Sequence, residues 1–468
     1  MLTIYNTLNK RKEEFKPIKE GEIKMYVCGP TVYDYFHIGN ARTFIMSDII
    51  RKYLEYKGYK VTYLMNLTDI DDKIIKKSIE EKKDARVVAE NYINAFFEDI
   101  EKLKVKKADD YPKATAHIDD IVAMIKKLVD KGAAYNVDGN VFYDVSKFNE
   151  YGKLSGKKID ELESGARIEI NEAKKNPLDF SLWKKAKEGE PFWDSPWGKG
   201  RPGWHIECSA MSCKHLGETF DIHAGGNDLI FPHHENEIAQ SEAATGKHFV
   251  NYWIHFGFLN IDNQKMSKSL GNFFTARDVL KTYPAEVLRF FFAQTYYRGP
   301  LNYSIDLLNS AQKGLEKIQN LYERLVQESK NASLTDAETD FDFKPFYAEF
   351  ERAMDDDFNT AQGIALLFDF SREANKYLSD SSKLNKKFVE GALQFLNKVA
   401  VNVFSIINTE GKQMGNSIED ELINLLISIR LDAKKNKNFA LSDKIRDDLK
   451  ELGIILQDSK EGTTYKRA

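Results

Sequence analysis

Short apolar runs alternate with amphipathic stretches near the start of the chain. The run IKMYVC at residues 23–28 predicts a short buried strand. From Gly39 apolar residues recur about every four positions until Gly58, which predicts a helix with a glycine C-cap. The run KVTYLMNL at 60–67 predicts a second buried strand. Strand, glycine turn, helix and strand indicate a βαβ unit with parallel strands and a right-handed crossover.

The same pattern returns later in the chain. TFDIHAGG at 219–226 predicts a strand, residues 232–245 predict a helix, and YWIHFGFLNI at 252–261 is again apolar and β-rich. Charged helical segments and a turn-rich stretch separate the two groups. We therefore predict one α/β, Rossmann-like parallel sheet that is interrupted by an insertion at about residues 115–195.

After this sheet the periodicity is almost entirely helical. The stretches QESKNASLTDAETD and INTEGKQMGNS have the composition of linkers. We predict a first domain at 1–305 that contains the sheet and its insertion, a helical bundle at 306–408 and a small final domain at 409–468.

Composition narrows the class of protein. The 468 residues are 42% hydrophobic and 30% charged, as expected of a soluble protein, and no apolar run is long enough for a membrane helix or a signal peptide. We expect a cytoplasmic protein. Net charge is −4, so a nucleic-acid site would have to be a local patch. The three cysteines suggest thiols or metal ligands instead of a disulfide framework.

The tetrapeptide HIGN at 37–40 lies where the first strand gives way to the helix. In a doubly wound sheet this is where phosphate meets free backbone N–H groups and the positive end of a helix dipole. His37 and Asn40 would add hydrogen-bond donors there. A plain helix-capping turn explains the tetrapeptide equally well when it is taken alone.

The segment KMSKS at 265–269 changes that balance. Lys265 and Lys268 flank a polar Met-Ser pair and could bring mobile positive charge onto a triphosphate. Such a loop by itself is usually a solvated surface turn. Together with a histidine-glycine turn at the front of the same sheet, it is typical of class I aminoacyl-tRNA synthetases.

Longer motifs carry a closer resemblance. CGPTVYDYFHIGNAR, NLTDIDDKII, RPGWHIECSAM, DIHAGGNDLIFPHHENEIAQ and KMSKSLGN together resemble the cysteinyl-tRNA synthetases, from about Leu2 to the C-terminus. The resemblance implies a catalytic domain with a connective insertion, a helical tRNA-stem domain and a small anticodon-binding domain. It also implies that the substrates are L-cysteine, ATP and tRNA(Cys), and we expect a monomer that makes no membrane contact.

A metal site is the most specific chemical hypothesis. Cys28 and Cys208 could meet the HHENE segment, in which His233 and Glu237 lie about 40° apart on a helix, and His234 with Glu237 passes the same test. Spacing does not choose between the two histidines, whereas the resemblance favours His233. Two thiolates, an imidazole and a carboxylate suit Zn²⁺. The alternative is that both cysteines are ordinary core residues.

Zinc would explain how cysteine is selected over serine. Pocket size alone distinguishes such similar side chains by only about 1–3 kcal/mol, whereas zinc binds a thiolate and leaves a hydroxyl as a poor ligand. Such an ion must keep one position open for the substrate. Cys213, about 140° around a helix from Cys208, would not share it and is expected to be a core residue.

The resemblance assigns further residues. Thr68, Trp204, His223 and Asp228 would line the amino-acid pocket, with Trp204 covering the substrate and Asp228 pairing its ammonium group. A core tryptophan, a strand threonine and a plain turn at Asp228 are the alternatives.

Adenylate formation requires positioning and charge stabilisation but no protein nucleophile. We expect His37, Lys265 and Lys268 to act in catalysis, with Mg²⁺ bridging the phosphates. ATP binding is assigned to Gly29, His37, Gly39, Asn40 and Lys268.

The C-terminal part offers weaker signals. AMDDDFNTAQG at 353–363 resembles part of the stem domain, and its acidic run predicts a solvated helix end. In the final segment Arg446, Lys466 and Arg467 could contact phosphates or bases, and Tyr465 could stack on an unpaired base.

Two other functions remain open at this point. One is a ligase that joins activated cysteine to a small amine, which the long helical tail disfavours. The other is an inactive, zinc-stabilised RNA-binding protein, which the presence of both lysines and all four proposed ligands disfavours. Pyrophosphate exchange with cysteine and charging of tRNA distinguish the three.

Overall fold

The computed structural model describes residues 1–156, 173–262, 264–265, 273–380, 384–409, 418–436, 438–459 and 462–467. The chain divides into two compact units, Met1–Ile407 and Asn408–Ala468. Each is described by itself. Within the described residues, no helix combines the length and the apolar character needed to cross a bilayer.

The strands are listed in chain order: β1 (Thr3–Asn6), β2 (Arg11–Glu14), β3 (Glu22–Val27), β4 (Lys60–Met65), β5 (Ala134–Val137), β6 (Asn140–Tyr143), β7 (Phe180–Lys185), β8 (Gly200–Pro202), β9 (Phe220–Gly226), β10 (Val250–Phe256), β11 (Leu259–Ile261), β12 (Gln264–Lys265), β13 (Leu301–Tyr303), β14 (Ile454–Ser459) and β15 (Gly462–Arg467).

The α-helices are α1 (Ile38–Tyr56), α2 (Asp72–Glu81), α3 (Ala85–Lys102), α4 (Ile118–Asp130), α5 (Trp204–Leu216), α6 (Glu235–Thr245), α7 (Ala276–Leu280), α8 (Ala285–Ala293), α9 (Ile305–Glu328), α10 (Lys344–Asp355), α11 (Thr360–Leu378), α12 (Lys386–Leu396), α13 (Ile418–Lys435) and α14 (Phe439–Glu451).

The core of the first unit is a four-stranded parallel sheet in the order β10–β9–β3–β4. Helix α1 connects β3 to β4, and α6 connects β9 to β10. The predicted βαβ unit and the α/β class are therefore confirmed. The C-cap of α1 is Lys57, and Gly58 directly after it has φ +90°, a conformation that suits a glycine just beyond a helix end.

Two predicted elements differ in detail. The helix expected over 232–245 begins at Glu235, because residues Ile230–His234 form a π-type turn in which Phe231 is extended (φ −137°, ψ 131°). The apolar stretch 252–261 forms two strands, β10 and β11, which are separated by Gly257 and Phe258. Apolar composition alone could not reveal that break.

The predicted insertion at about 115–195 contains α4, β5, β6 and β7. These strands form an antiparallel sheet in the order β5–β6–β7–β8, whose last strand lies beyond the predicted range. Residues 157–172 of the predicted insertion lie outside the described residues. The first unit ends with α9 to α12. The domain limits within it remain predictions.

The acidic run of AMDDDFNTAQG was predicted to be a solvated helix end, and this is wrong for Asp357. Its side chain is fully buried between α10 and α11. The error arose because charge composition says nothing about hydrogen-bond donors contributed by distant segments.

The second unit packs α13 and α14 against the β14–β15 hairpin. Its core is formed by buried apolar side chains from α13, α14 and β14, namely Ile423, Ile427, Ile445, Leu449 and Ile454.

Candidate active site

The candidate site lies at the switch point of the parallel sheet. Strand β3 leads through α1 to β4 on one side, and its other neighbour β9 leads through α6 to β10 on the opposite side. In such sheets ligands bind in the crevice outside the carboxyl ends of the two strands where the direction reverses. Cys28 directly follows β3, and His223 lies in β9.

Five predicted side chains converge at this point. Potential ligand atoms of Cys28, His233, His234 and Glu237 all lie within 4.8 Å of one another, and the Sγ atoms of Cys28 and Cys208 are 4.0 Å apart. All five side chains are buried. They come from the end of β3, from α5 and from the turn that opens α6, so the fold joins parts of the sequence that are far apart.

The Glu237 carboxylate is the electrostatic centre of the cluster. Its Oε2 is 2.9 Å from His223 Nε2, and its Oε1 is 3.1 Å from His233 Nε2. Burial would raise the pKa of Glu237, but the two imidazoles outweigh burial and lower that pKa to about 2.

The neighbours of Glu237 also have shifted pKa values. Burial would lower the pKa of His233, but Glu237 and Cys208 outweigh it and raise that pKa to about 10. Hydrogen bonding from Cys28 lowers the pKa of Cys208 to about 6 against the opposing effect of burial. The cluster therefore favours a thiolate and a carboxylate, which are the ionised forms that a cation would bind.

Both histidines of the HHENE segment face the cluster, and each has a different supporting partner. His233 Nδ1 is 2.9 Å from His205 Nδ1, whereas His234 Nδ1 is 2.8 Å from His255 Nε2. His234 Nε2 lies 3.3 Å from Cys28 Sγ. Geometry thus keeps both as potential ligands, as spacing did.

Sequence reasoning missed the two supporting histidines. His255 lies in β10, and its Nδ1 is 2.8 Å from the Thr7 hydroxyl. His205 directly follows Trp204 on α5. A histidine inside the apolar run YWIHF was a usable signal for His255, because buried polar groups require a partner. Nothing comparable in the sequence marked His205.

The predicted amino-acid-pocket residues occupy different positions around the cluster. The Trp204 ring stacks on His233 with centroids 4.2 Å apart and remains 38% exposed. Thr68 is buried and donates a hydrogen bond of 3.0 Å to Glu207, the residue before Cys208. Burial raises the pKa of the Glu207 carboxyl well above its ordinary value. Sequence reasoning had not singled out Glu207.

His223 and Asp228 complete this set. His223 is buried against Glu237, its ring stacks on Trp253 at 4.5 Å, and its Nδ1 has no hydrogen-bond partner among the described residues. Asp228 is exposed on the short turn Asn227–Leu229 after β9. His223 therefore supports a proposed ligand directly, which the sequence had not indicated.

The nucleotide-binding motif is built largely from backbone. His37 is the N-cap of α1, and its Nδ1 accepts a hydrogen bond from the Asn40 N–H at 3.2 Å. Gly39 lies in the first turn of this helix. At Gly29 a Cβ atom would lie 1.8 Å from the Asn66 carbonyl oxygen, so only glycine fits there. The capping role that the sequence left open is therefore present.

The KMSKS segment is described only at its edges. Lys265 has its backbone in β12, opposite Asn260 of β11, and Lys268 lies outside the described residues. Residues 273–276 follow the segment and pair with the HIGN turn. The Ile38 N–H donates to Phe274 O at 3.0 Å, and the Ala276 N–H donates to Phe36 O at 3.1 Å. The chain thus returns to the N-terminus of α1 directly after the predicted lysine loop.

The predicted RNA-contacting residues lie in the second unit. Arg446 is on α14 and forms ion pairs with Asp443 and Asp447 at 3.3 and 3.2 Å. Tyr465 is half-buried against the core of that unit. Lys466 and Arg467 have described backbones in β15, but their side chains lie outside the description.

The fold and the motifs define a class I aminoacyl-tRNA synthetase. Residues 14–313 match the family described as tRNA synthetases class I (C) catalytic domain, and residues 349–408 match the DALR domain. The fold is shared with methionyl-tRNA synthetase of Mycobacterium tuberculosis in complex with methionyl-adenylate. The TM-score is 0.61 at 16% identity, over 81% of this chain and 91% of that one.

Closer relatives define the family. The chain is 52% identical over 472 residues to a cysteine–tRNA ligase of Thermococcus onnurineus. The alignment covers 100% of this chain and 99% of the relative. The chain is 53% identical over 469 residues to a cysteine–tRNA ligase of a Geobacillus species, with the same coverage. The chain belongs to the cysteine–tRNA ligase family.

Proposed function

We propose that the protein activates L-cysteine with ATP to give cysteinyl-adenylate and transfers the cysteinyl group to the 3′ end of tRNA(Cys). The observation that carries this proposal is the buried Cys28–Cys208–His233–His234–Glu237 cluster at the switch point of a class I synthetase sheet. A thiol-binding centre at this position suits a synthetase that must recognise cysteine.

The cluster is a suitable zinc site. Its donor set offers two thiols, imidazoles and a carboxylate, with the ionised forms of Cys208 and Glu237 favoured. We assign Cys28, Cys208, His233 and Glu237 as the ligands. The choice of His233 as the imidazole ligand is supported by its position between Cys208 and Glu237. Its ring also stacks on Trp204. Bound there, zinc would coordinate the substrate thiol and so favour cysteine over serine.

The remaining amino-acid pocket is assigned from the same surroundings. The Trp204 ring stacks on the proposed ligand His233 and is partly exposed, so it can cover a substrate side chain. Thr68 and His223 hold Glu207 and Glu237 in place through their hydrogen bonds. Asp228 is exposed on the turn that follows β9, and within the described residues no Lys or Arg side chain pairs with it. Its carboxylate would bind the ammonium group of the substrate.

ATP would bind across the N-terminus of α1 together with Mg²⁺, which would offset the negative charge of its phosphates. Gly29, Gly39 and the donors at His37 and Asn40 supply a backbone cradle and the positive end of the helix dipole. Lys265 and Lys268 would stabilise the charge that develops on the triphosphate as the cysteine carboxylate attacks the α-phosphate.

The tRNA would also contact the second unit. Arg446, Lys466 and Arg467 would pair with phosphates or bases, and Tyr465 would stack on an unpaired base. We further propose that the protein acts as a monomer in the cytoplasm.

Pyrophosphate exchange and tRNA charging test the proposal together. We expect cysteine to support both reactions and serine to support neither above about 10⁻⁴ of the cysteine rate. After chelation and removal of the metal, selectivity should be lost and should return when zinc is added back. Exchange with cysteine but no tRNA charging would favour the small-amine ligase, and no exchange at all would contradict an activating enzyme.

The choice of histidine is tested by zinc content. His233→Asn should lose bound zinc, whereas its neighbour His234→Asn serves as the matched control and should retain it. The reverse pattern would assign His234 as the ligand in place of His233.

A further inference from the structure

The acidic run of residues 355–357 fastens the helical region to the sheet domain. The Asp355 carboxylate accepts a hydrogen bond from the Tyr53 hydroxyl at 2.6 Å. Asp356 pairs with Lys12 at 2.5 Å on the surface. Asp357, in contrast, is fully buried. The three neighbouring carboxylates therefore have different surroundings, and only Asp357 is enclosed.

Four donors surround the Asp357 carboxylate. Its Oδ1 accepts hydrogen bonds from the Tyr5 N–H at 2.8 Å and the Tyr297 hydroxyl at 2.7 Å. Its Oδ2 accepts from Arg298 Nε at 3.0 Å and from the Tyr296 hydroxyl. Three of the four donors belong to the loop at residues 296–299. A buried carboxylate with this many donors fixes the loop from one side.

The backbone at this point is held in an unusual conformation. Asp357 and Phe358 have φ of +58° and +52°, in the left-handed region that residues other than glycine adopt only at a cost. The Asp357 N–H donates to Thr3 O at 2.9 Å. Asn359 then caps α11 through its side chain. A strained backbone conformation of this kind persists where the surrounding contacts hold it in place, and such conformations are common at functional positions.

The same loop is fixed from its other side by Arg42. This arginine is the sixth residue of the segment HIGNAR, lies in α1 and is buried. Its guanidinium donates to five carbonyl oxygens, those of Gly257, Phe258, Tyr296, Tyr297 and Gly299, at 2.7 to 3.3 Å. Arg42 therefore joins the loop to the 257–258 turn and to the helix whose N-terminus is capped by His37.

From the 257–258 turn the connection reaches the strand that contains Lys265. The Leu301 N–H donates to Phe258 O at 2.9 Å. Strand β11 pairs with β13 on one side and with β12 on the other, and Lys265 lies opposite Asn260. Main-chain and buried side-chain bonds thus run without interruption from Asp357 to the backbone of Lys265.

We propose that Asp357 is a positioning residue for adenylate formation. By holding the 296–299 loop against Arg42, it sets the position of the β11–β12 hairpin, and hence of Lys265, relative to the N-terminus of α1. This inference rests on the proposed function, since it assigns a step of that reaction. Asp357 itself touches no substrate.

Asp357→Asn tests the proposal, with Asp356→Asn as the matched control. Asparagine replaces one of the two accepting carboxylate oxygens by an NH₂ group. That group cannot accept the hydrogen bonds that Arg298 and the tyrosine hydroxyls donate. In pyrophosphate exchange, we expect kcat to fall about 10- to 100-fold. KM for cysteine should stay within about twofold and zinc content should be unchanged, because none of the four hydrogen-bond donors to the Asp357 carboxylate is a proposed metal ligand or a neighbour of one in sequence. Asp356→Asn should resemble the unmodified protein.

A double-mutant cycle separates positioning from general stability. If Asp357 acts through the Lys265 hairpin, Asp357→Asn should cost about twofold or less in a Lys265→Ala background. Equal fold losses in both backgrounds would overturn the proposal. Should Asp357→Asn fail to fold, Tyr297→Phe removes one donor while keeping the ring, and the same non-additivity with Lys265→Ala is expected.

The outcomes distinguish this inference from the proposed function. Absence of cysteine-dependent exchange in the unmodified protein would contradict both. If the unmodified protein shows normal cysteine-dependent exchange and Asp357→Asn exchanges at the same rate, the inference alone would be contradicted. A rise in KM for cysteine, or a loss of zinc, would also overturn it, because the effect would then lie on the cysteine side.

Discussion

The cysteine side and the nucleotide side of the candidate site are built in different ways. On the cysteine side, buried side chains from β3, α5 and α6 converge around Glu237. On the nucleotide side, the described contacts are mostly backbone groups at the start of α1 and beside Gly29. The first depends on side-chain chemistry, and the second depends on the position of the main chain.

This difference suggests a division of labour. Replacing one side chain on the cysteine side should alter the metal and the choice of amino acid. A change on the nucleotide side should alter the rate of adenylate formation and leave zinc bound. Mutations that affect both equally would contradict the division.

The largest effect is expected for Cys208→Ser. A serine hydroxyl stays protonated and is a poor zinc ligand, so we expect zinc to be lost and exchange to fall about 10³-fold, or roughly 4 kcal/mol. Metal analysis and pyrophosphate exchange check this. Cys213→Ser, on the same helix, is the control and should keep its zinc. Retention of zinc by Cys208→Ser would remove Cys208 from the proposed ligand set.

His37→Asn is expected to have the next largest effect. Asparagine is a good N-cap, so helix α1 should stay stable, while the imidazole that would contact phosphate is lost. We expect exchange to fall about 10²-fold with unchanged zinc content and melting temperature. His37→Ala should lose about 1 kcal/mol of stability in addition. Full activity of the asparagine variant would leave His37 with a capping role only.

The supporting histidines should have a smaller effect. Partners of a metal-bound histidine typically contribute about 10- to 100-fold in metal affinity. His205→Ala should therefore weaken zinc binding by about tenfold, because His205 contacts the proposed ligand His233. His255→Ala, which acts on His234, should change zinc affinity less. A competition titration with a chelator measures both, and the opposite order would favour His234.

The smallest effect is expected for Tyr465→Ala. Stacking on a base contributes about 1–3 kcal/mol, but Tyr465 is also half-buried against its own unit, so we expect only a several-fold rise in KM for tRNA. Pyrophosphate exchange should not change. Tyr465→Phe keeps the ring and should charge tRNA normally; a defect equal to that of the alanine variant would point to the hydroxyl instead.

Local patterns predicted much of this molecule, because they depend on neighbouring residues. Strand β3, helix α1 and the HIGN turn follow from apolar periodicity and glycine placement. The convergence of Cys28 and Cys208 with the HHENE segment also agreed with the resemblance. The strand, the helix and the turn needed no knowledge of how distant segments pack, whereas the convergence joins segments about 180 residues apart and was favoured only by the resemblance.

What could not be predicted depends on long-range packing. His205 and His255 support different histidines of one doublet, and spacing along a helix contains no such information. Asp357 was expected in solvent because its neighbours are acidic, yet donors about 60 and 350 residues away in sequence enclose it. A carboxylate can be buried only where hydrogen-bond donors or cations surround it, and tertiary packing determines which of these groups are nearby.

X-ray absorption spectroscopy at the zinc edge, on the zinc-loaded protein with and without cysteine, tests the central claim most directly. We expect cysteine to add one sulfur neighbour at about 2.3 Å, and serine to leave the sulfur count unchanged. An unchanged zinc environment at saturating cysteine would contradict the claim that this cluster selects the substrate through its thiol.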